Sequence, residues 1–104
     1  MLVIENPKEM QLLANNLRKE GKIIGFVPTM GALHEGHLRL IRKARKQADF
    51  LVVSIFVNPL QFEPGSDYHR YPRRFEEDRY KCEMEGVQAI FYPSVEAMYP
   101  EDFS

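Results

Sequence analysis

Two histidines three positions apart, His34 and His37, stand in a stretch that also carries Gly31 and Gly36. Imidazole donates hydrogen bonds to anions and changes charge near neutral pH, so such a pair suits work on phosphates or carboxylates. The run Phe26-Val27-Pro28-Thr29-Met30-Gly31-Ala32-Leu33-His34-Glu35-Gly36-His37 begins where apolar Ile23, Ile24, Phe26 and Val27 meet a proline. It ends where a helical pattern, Leu38, Ile41, Ala44 and Ala48, begins. A strand, a glycine-punctuated turn and a helix start in succession make an anion site. The first helical N–H groups lack intrahelical partners, and the macrodipole adds about half a positive charge there. Glycine lets backbone approach a ligand with no Cβ in the way. Phosphate chemistry on a nucleotide is the expectation.

Other chemistries fit these residues less well. No Gly-Lys-Ser/Thr follows the glycines, so the stretch is not a P-loop, and Gly-x-Gly-x-x-Gly is absent. Zinc-binding His-Glu-x-x-His places its histidines four apart, not three. The plain competing reading is a pair of surface histidines in a loop. Position argues against it, because loops at the carboxyl ends of parallel strands are where open α/β sheets bind ligands.

The segment Pro28 to His37 resembles the phosphate-binding segment of the pantothenate synthetase (pantoate–β-alanine ligase) family, within the nucleotidylyltransferase superfamily and its His-x-Gly-His turn. Val53-Ser54-Ile55-Phe56-Val57-Asn58-Pro59-Leu60-Gln61-Phe62 and Tyr71-Pro72-Arg73 are similar to the same family, and the likeness continues through Tyr99-Pro100. The resemblance implies an ATP-dependent condensation of pantoate with β-alanine through a pantoyl adenylate, with ATP as its Mg²⁺ complex and no tightly bound cofactor or protein-held metal. It implies ATP contacts from Met30, Gly31, Ala32, Leu33, His34, Glu35, Gly36 and His37. His37 would be the donor to the reacting phosphate, assisted by His34. Gln61 would hold pantoate near the β-alanine position, with Asn58 beside it and Pro28 and Phe62 as pocket walls. Tyr71 and Arg73 read as helix entry and surface charge. Another His-x-Gly-His nucleotidylyltransferase, or a non-catalytic interaction module, is the alternative.

The elements that must position these residues are legible in the pattern. Leu2-Val3-Ile4 is a candidate short edge strand. Asn6 as N-cap, Pro7 at the first helical position and Glu9 as capping-box partner open a helix carrying Met10, Leu13, Ala14 and Leu17 on one face, with Gly21 as its stop. Lys22 to Val27 reads as a strand. The helix after His37 carries Leu40, Ile41, Ala44 and Ala48 on one stripe, with Arg39, Arg42, Lys43, Arg45 and Lys46 as a solvated face. Phe50 to Val57, nearly unbroken and β-branched, reads as a central parallel strand. A long loop, a third helix from Phe75 to Glu85 with Phe75, Arg79 and Cys82 inward, a strand Val87 to Tyr92, and a short helix capped by Ser94 follow. The expected fold is α/β, a Rossmann-like parallel sheet with flanking helices. It holds three main strands in the order third, second, first, with the short N-terminal strand as an addition.

The 104 residues read as a single Rossmann-like nucleotide-binding domain spanning 1–104. Fourteen cations against fifteen anions give a net charge of −1, which points to neither nucleic-acid nor membrane partners. One cysteine, Cys82, excludes an internal disulfide framework and suits the cytoplasm. By resemblance the chain is the N-terminal part of a longer family chain, which adds a strand beside Lys22–Val27 and lysine-bearing loops over the phosphates. The expectation is therefore weak ATP binding, negligible turnover and self-association, as a homodimer or otherwise, for these residues alone.

Overall fold

The apolar run that opens at Phe50 lies inside a parallel sheet, as its lack of polar alternation requires. The computed structural model describes residues 1–57 and 74–99. Among them β1 (Leu2–Ile4), α1 (Pro7–Lys19), β2 (Ile24–Thr29), α2 (Glu35–Gln47), β3 (Phe50–Ile55), α3 (Phe75–Met84), β4 (Ala89–Phe91) and α4 (Val95–Met98) follow in order. The strands are all parallel in the order β1-β4-β3-β2. This is the expected α/β arrangement, and the short N-terminal strand takes the edge beside β4.

Apolar residues fill both faces of the sheet. Val27, Leu51, Val53, Ile55 and Ile90 meet Ile41 of α2 and Cys82 of α3 on one side. Ile4, Val52 and Ala89 meet Met10 and Leu13 of α1 on the other. Asn6 caps α1 through its Oδ1, which accepts from the amides of Lys8 and Glu9 at 2.8 and 3.4 Å. The Glu9 carboxylate makes no reciprocal bond, so the expected capping box is half formed.

β2 runs further than its sequence suggests. Pro28 is the expected end of the strand, yet pairing continues through Thr29, opposite Ile55. The carbonyls of Ile23 and Thr29 accept from Phe50 and Phe56 on the β3 side. Alternation then turns Ile24, Phe26 and Pro28 toward the open edge, where a missing N–H breaks no ladder bond. On this edge Phe26 is 55% exposed.

Two inward assignments change. Leu38, Ile41 and Ala44 pack into the core, whereas Leu40, a neighbour of Ile41 about 100° round the helix, is exposed. On α3 the inward residues are Phe75, Asp78 and Cys82, and Arg79 faces solvent. The basic face of α2 also does more than meet water. Arg42 bonds both oxygens of Glu85 at 2.9 and 2.7 Å and reaches Glu35 at 2.7 Å, while Arg45 donates to the Glu85 carbonyl. Arg42 draws the Glu85 carboxyl below its ordinary range. No helix among the described residues is long and apolar enough to cross a membrane.

Cys82 is fully buried, and desolvation, reinforced by Asp78, pushes its thiol up to about 12. The folded value lies above the ordinary one, so this contribution to stability is intact below about pH 9 and lost as pH rises toward 12. A thiol reagent at about pH 8 is expected to label the native chain far more slowly than the denatured chain. Equal labelling rates would show that Cys82 is not held in the core.

Candidate active site

The site grows from the carboxyl end of β2. Buried Thr29 donates its hydroxyl to the Ser54 carbonyl at 2.9 Å and accepts the Gly31 amide at 3.1 Å. The chain then turns through two left-handed residues, Gly31 at φ 86° and Ala32 at φ 53°. For an alanine this conformation costs about 1–2 kcal/mol, so the surroundings must hold it. They do so from α3. Asp78 Oδ2 accepts the Ala32 amide and Oδ1 the Leu33 amide, each at 2.9 Å, and Lys81 Nζ donates to the Leu33 carbonyl at 2.7 Å. Leu33 itself is buried in the core.

His34 is the N-cap of α2, so the helix starts at Glu35, three residues earlier than the pattern suggests, and His37 lies in its first turn. The two histidines cap one another. His34 Nδ1 accepts the Gly36 amide at 3.0 Å, and His37 Nδ1 accepts the His34 amide at 3.1 Å. Their ring centroids are 4.2 Å apart. An Nδ1 that accepts an N–H carries no proton, so each neutral ring keeps its proton on Nε2, pointing away from the backbone. The result is a pair of outward Nε2–H donors beside the amide of Glu35, which has no partner in the protein among the described residues, whereas the His37 amide is bonded to the His34 side chain.

The space left by the glycines is filled by protein. A Cβ on Gly36 would come within 2.8 Å of the His34 ring, and one on Gly31 within 3.3 Å of Asp78 and Ile55. Glu35 is drawn aside to Arg42. A cavity of about 230 Å³ opens at the carboxyl ends of the strands, lined by Met30, Gly31, Phe56, Phe75, Asp78 and Tyr92 among others. It does not include His34 or His37. Pro28 lies at the open edge of β2 rather than on this cavity, and Asn58, Gln61, Phe62, Tyr71 and Arg73 lie outside the described residues. Of the expected site, the described residues thus include the histidine turn and Pro28. Asp78 and Lys81 were missed. The available signal was an aspartate on the same stripe as Phe75 and Cys82, where a carboxylate must find donors.

The family model for pantoate-beta-alanine ligase matches residues 2–104. The pantothenate synthetase of Caldicellulosiruptor bescii is 61% identical over 103 residues, 99% of this chain and 36% of that protein. That of Thermotoga petrophila is 60% identical over 104 residues, the whole chain and 37% of the relative. Among solved structures, pantothenate synthetase from Thermus thermophilus superposes with a TM-score of 0.83 at 48% identity, over 100% of this chain and 36% of that one. Pantoate-beta-alanine ligase from Francisella tularensis, solved with beta-gamma ATP and beta-alanine, gives 0.88 at 44% identity, over 97% and 38%. The chain therefore spans a little over a third of the length of the curated relatives it matches.

Burial first, and then the neighbouring His34, hold the His37 imidazole below its ordinary range; Lys81 acts in the same sense, and Asp78 opposes. A depressed folded value means the neutral, capped form is stable above the ordinary imidazole range, and its contribution is lost as pH falls through the folded value. An NMR titration is expected to place the His37 midpoint below 6.5. A midpoint at or above that value would contradict the burial of His37 beside His34.

Proposed function

This chain belongs to the pantoate–β-alanine ligase family, and on that premise we propose that it forms the nucleotide-binding part of an ATP-dependent ligase joining pantoate to β-alanine. The pantoate carboxylate attacks the α-phosphate of ATP, which is bound as its Mg²⁺ complex, and pyrophosphate leaves. The amine of β-alanine then attacks the acyl carbon of the pantoyl adenylate and displaces AMP. The observation that carries this reading is the reciprocal cap of His34 and His37. It leaves two Nε2–H donors and the free Glu35 amide at a helix N-terminus, beyond the carboxyl end of a parallel strand. Such donors neutralise charge that spreads over phosphate oxygens in the transition state without having to reorganise. His37 serves as the donor to the reacting phosphate and His34 assists it. Gln61, from the segment after β3, recognises pantoate, since a carboxamide both donates to a carboxylate and accepts from a hydroxyl.

Pantoate-dependent exchange of pyrophosphate into ATP tests the first step. A full-length family chain that carries these residues is expected to catalyse it with pantoate and not with unrelated acids, whereas these 104 residues alone are expected to turn over negligibly. His37→Ala is expected to slow it on the order of a hundredfold while ATP affinity changes far less. Gln61→Ala is expected to weaken pantoate by roughly 1–3 kcal/mol and to leave ATP within a few-fold. Exchange unaffected by either change would refute these roles.

Among the described residues the outer backbone edge of β2 is unpaired, and with exposed Phe26 and Ile23 beside it this supports self-association by strand pairing. Sedimentation of the 104-residue chain is expected to show concentration-dependent association. A monomer at high concentration would refute it.

A further inference from the structure

Successive N–H groups in a left-handed turn converge and form a concavity for an anion. Gly31 and Ala32 build such a nest immediately before the histidines. In a site that handles ATP, a phosphate is the occupant to expect. The occupant here is the protein's own carboxylate. Asp78, 1% exposed, places one oxygen on the Ala32 amide and the other on the Leu33 amide, each at 2.9 Å, and Thr29 Oγ1 takes the Gly31 amide. All three amides of the nest are spent inside the protein. Further on, at the start of α2, the Glu35 amide remains open among the described residues.

We propose that Asp78 is a positioning residue, an internal anion that fills the nest, bars phosphate from it, and confines the nucleotide phosphates to the two imidazoles and the first turn of α2. The inference rests on the nucleotide-handling role proposed above. Leu33 is covalently joined to His34, so the orientation of the nest sets the start of the helix and, through the reciprocal cap, the direction of both Nε2–H groups. With the carboxylate gone, the amides of Ala32 and Leu33 lose their acceptor, and no carboxylate holds Ala32 in its strained conformation. The turn then relaxes, and the imidazoles lose their fixed aim. A misplacement of about 1 Å between donors and a reacting group costs on the order of a hundredfold in rate. Lys81, one helical turn after Asp78 and bonded to the Leu33 carbonyl, fixes the same turn from its other polar group.

Asp78 also lines the cavity of about 230 Å³ at the strand ends, so a small carboxylate can reach its place. This permits a test that packing alone would not pass. In a full-length family chain that carries these residues, Asp78→Ala is expected to slow pantoate-dependent pyrophosphate exchange on the order of a hundredfold, with a much smaller change in ATP affinity. Added formate should recover at least about tenfold of the loss, whereas formamide, equal in size but uncharged, should recover none. An unchanged rate, or equal recovery by both additives, would overturn the proposal. A second readout needs no substrate. Ligand-free nitrogen spectra of His34 and His37 should show the Nε2–H tautomer in the native protein and averaged ring nitrogens in Asp78→Ala. Formate should restore the single tautomer. If that full-length chain fails to exchange pyrophosphate, the function falls, and the imidazole spectra still decide the role of Asp78. If the alanine variant does not fold, Asp78→Asn carries the test, since it keeps the volume but sets an amide donor against one of the two backbone amides. Spectra identical to native in the variant would overturn the inference.

Discussion

A carboxylate buried against two backbone amides joins α3 to the turn after β2, between residues 45 and 46 positions apart in the chain. Burying a charge is costly unless its oxygens are well bonded, and each charge-assisted bond here contributes about 1.5–3 kcal/mol net. That is enough to hold one alanine in a left-handed conformation, and the histidines follow from it. Without Asp78 the amides of Ala32 and Leu33 would have no acceptor among the described residues. With it the residues from Gly31 to Leu33 are a rigid approach to a helix N-terminus.

The helix that follows this turn, α2, is itself tied to the end of α3. Arg42 of α2 grips Glu85 with two parallel bonds and reaches back to Glu35 in the first turn of its own helix. The guanidinium geometry suits this, since its planar fork matches a carboxylate at two points. It also removes a negative side chain from the mouth of the histidine turn. Ile41, wholly buried, anchors α2 to the sheet below. Residues that read as a solvated basic face thus contribute to the alignment of the site.

Each histidine is used twice. Its Nδ1 completes the backbone bonding of a helix start, a task usually given to serine, threonine or aspartate. Because that nitrogen accepts, the opposite one must donate, so the cap and the chemistry are one arrangement seen from two sides. Gly36 is required for the same reason, as a Cβ there would strike the His34 ring. The spacing of the His-x-Gly-His motif reads, in these terms, as capping geometry that leaves two aimed donors.

Periodicity and composition determined the class of fold, the strand order among β4, β3 and β2, the caps of α1 and the stops of the helices. These depend on local backbone preference and on which faces must be apolar, and both are written along the chain. The histidine turn was legible for the same reason, as a strand, glycines and a helix start in sequence. What could not be read were contacts made at long range. That Pro28 lies within a strand depends on which side of β2 is unpaired, and that Leu40 and Arg79 face outward depends on how α2 and α3 are rotated against the sheet. The largest omission was Asp78. An aspartate in a charged stretch, Glu76-Glu77-Asp78-Arg79, looks like solvated surface until folding carries it beneath a turn more than forty residues away. Its meaning lies in the two amides that it meets, and only the tertiary structure brings them together.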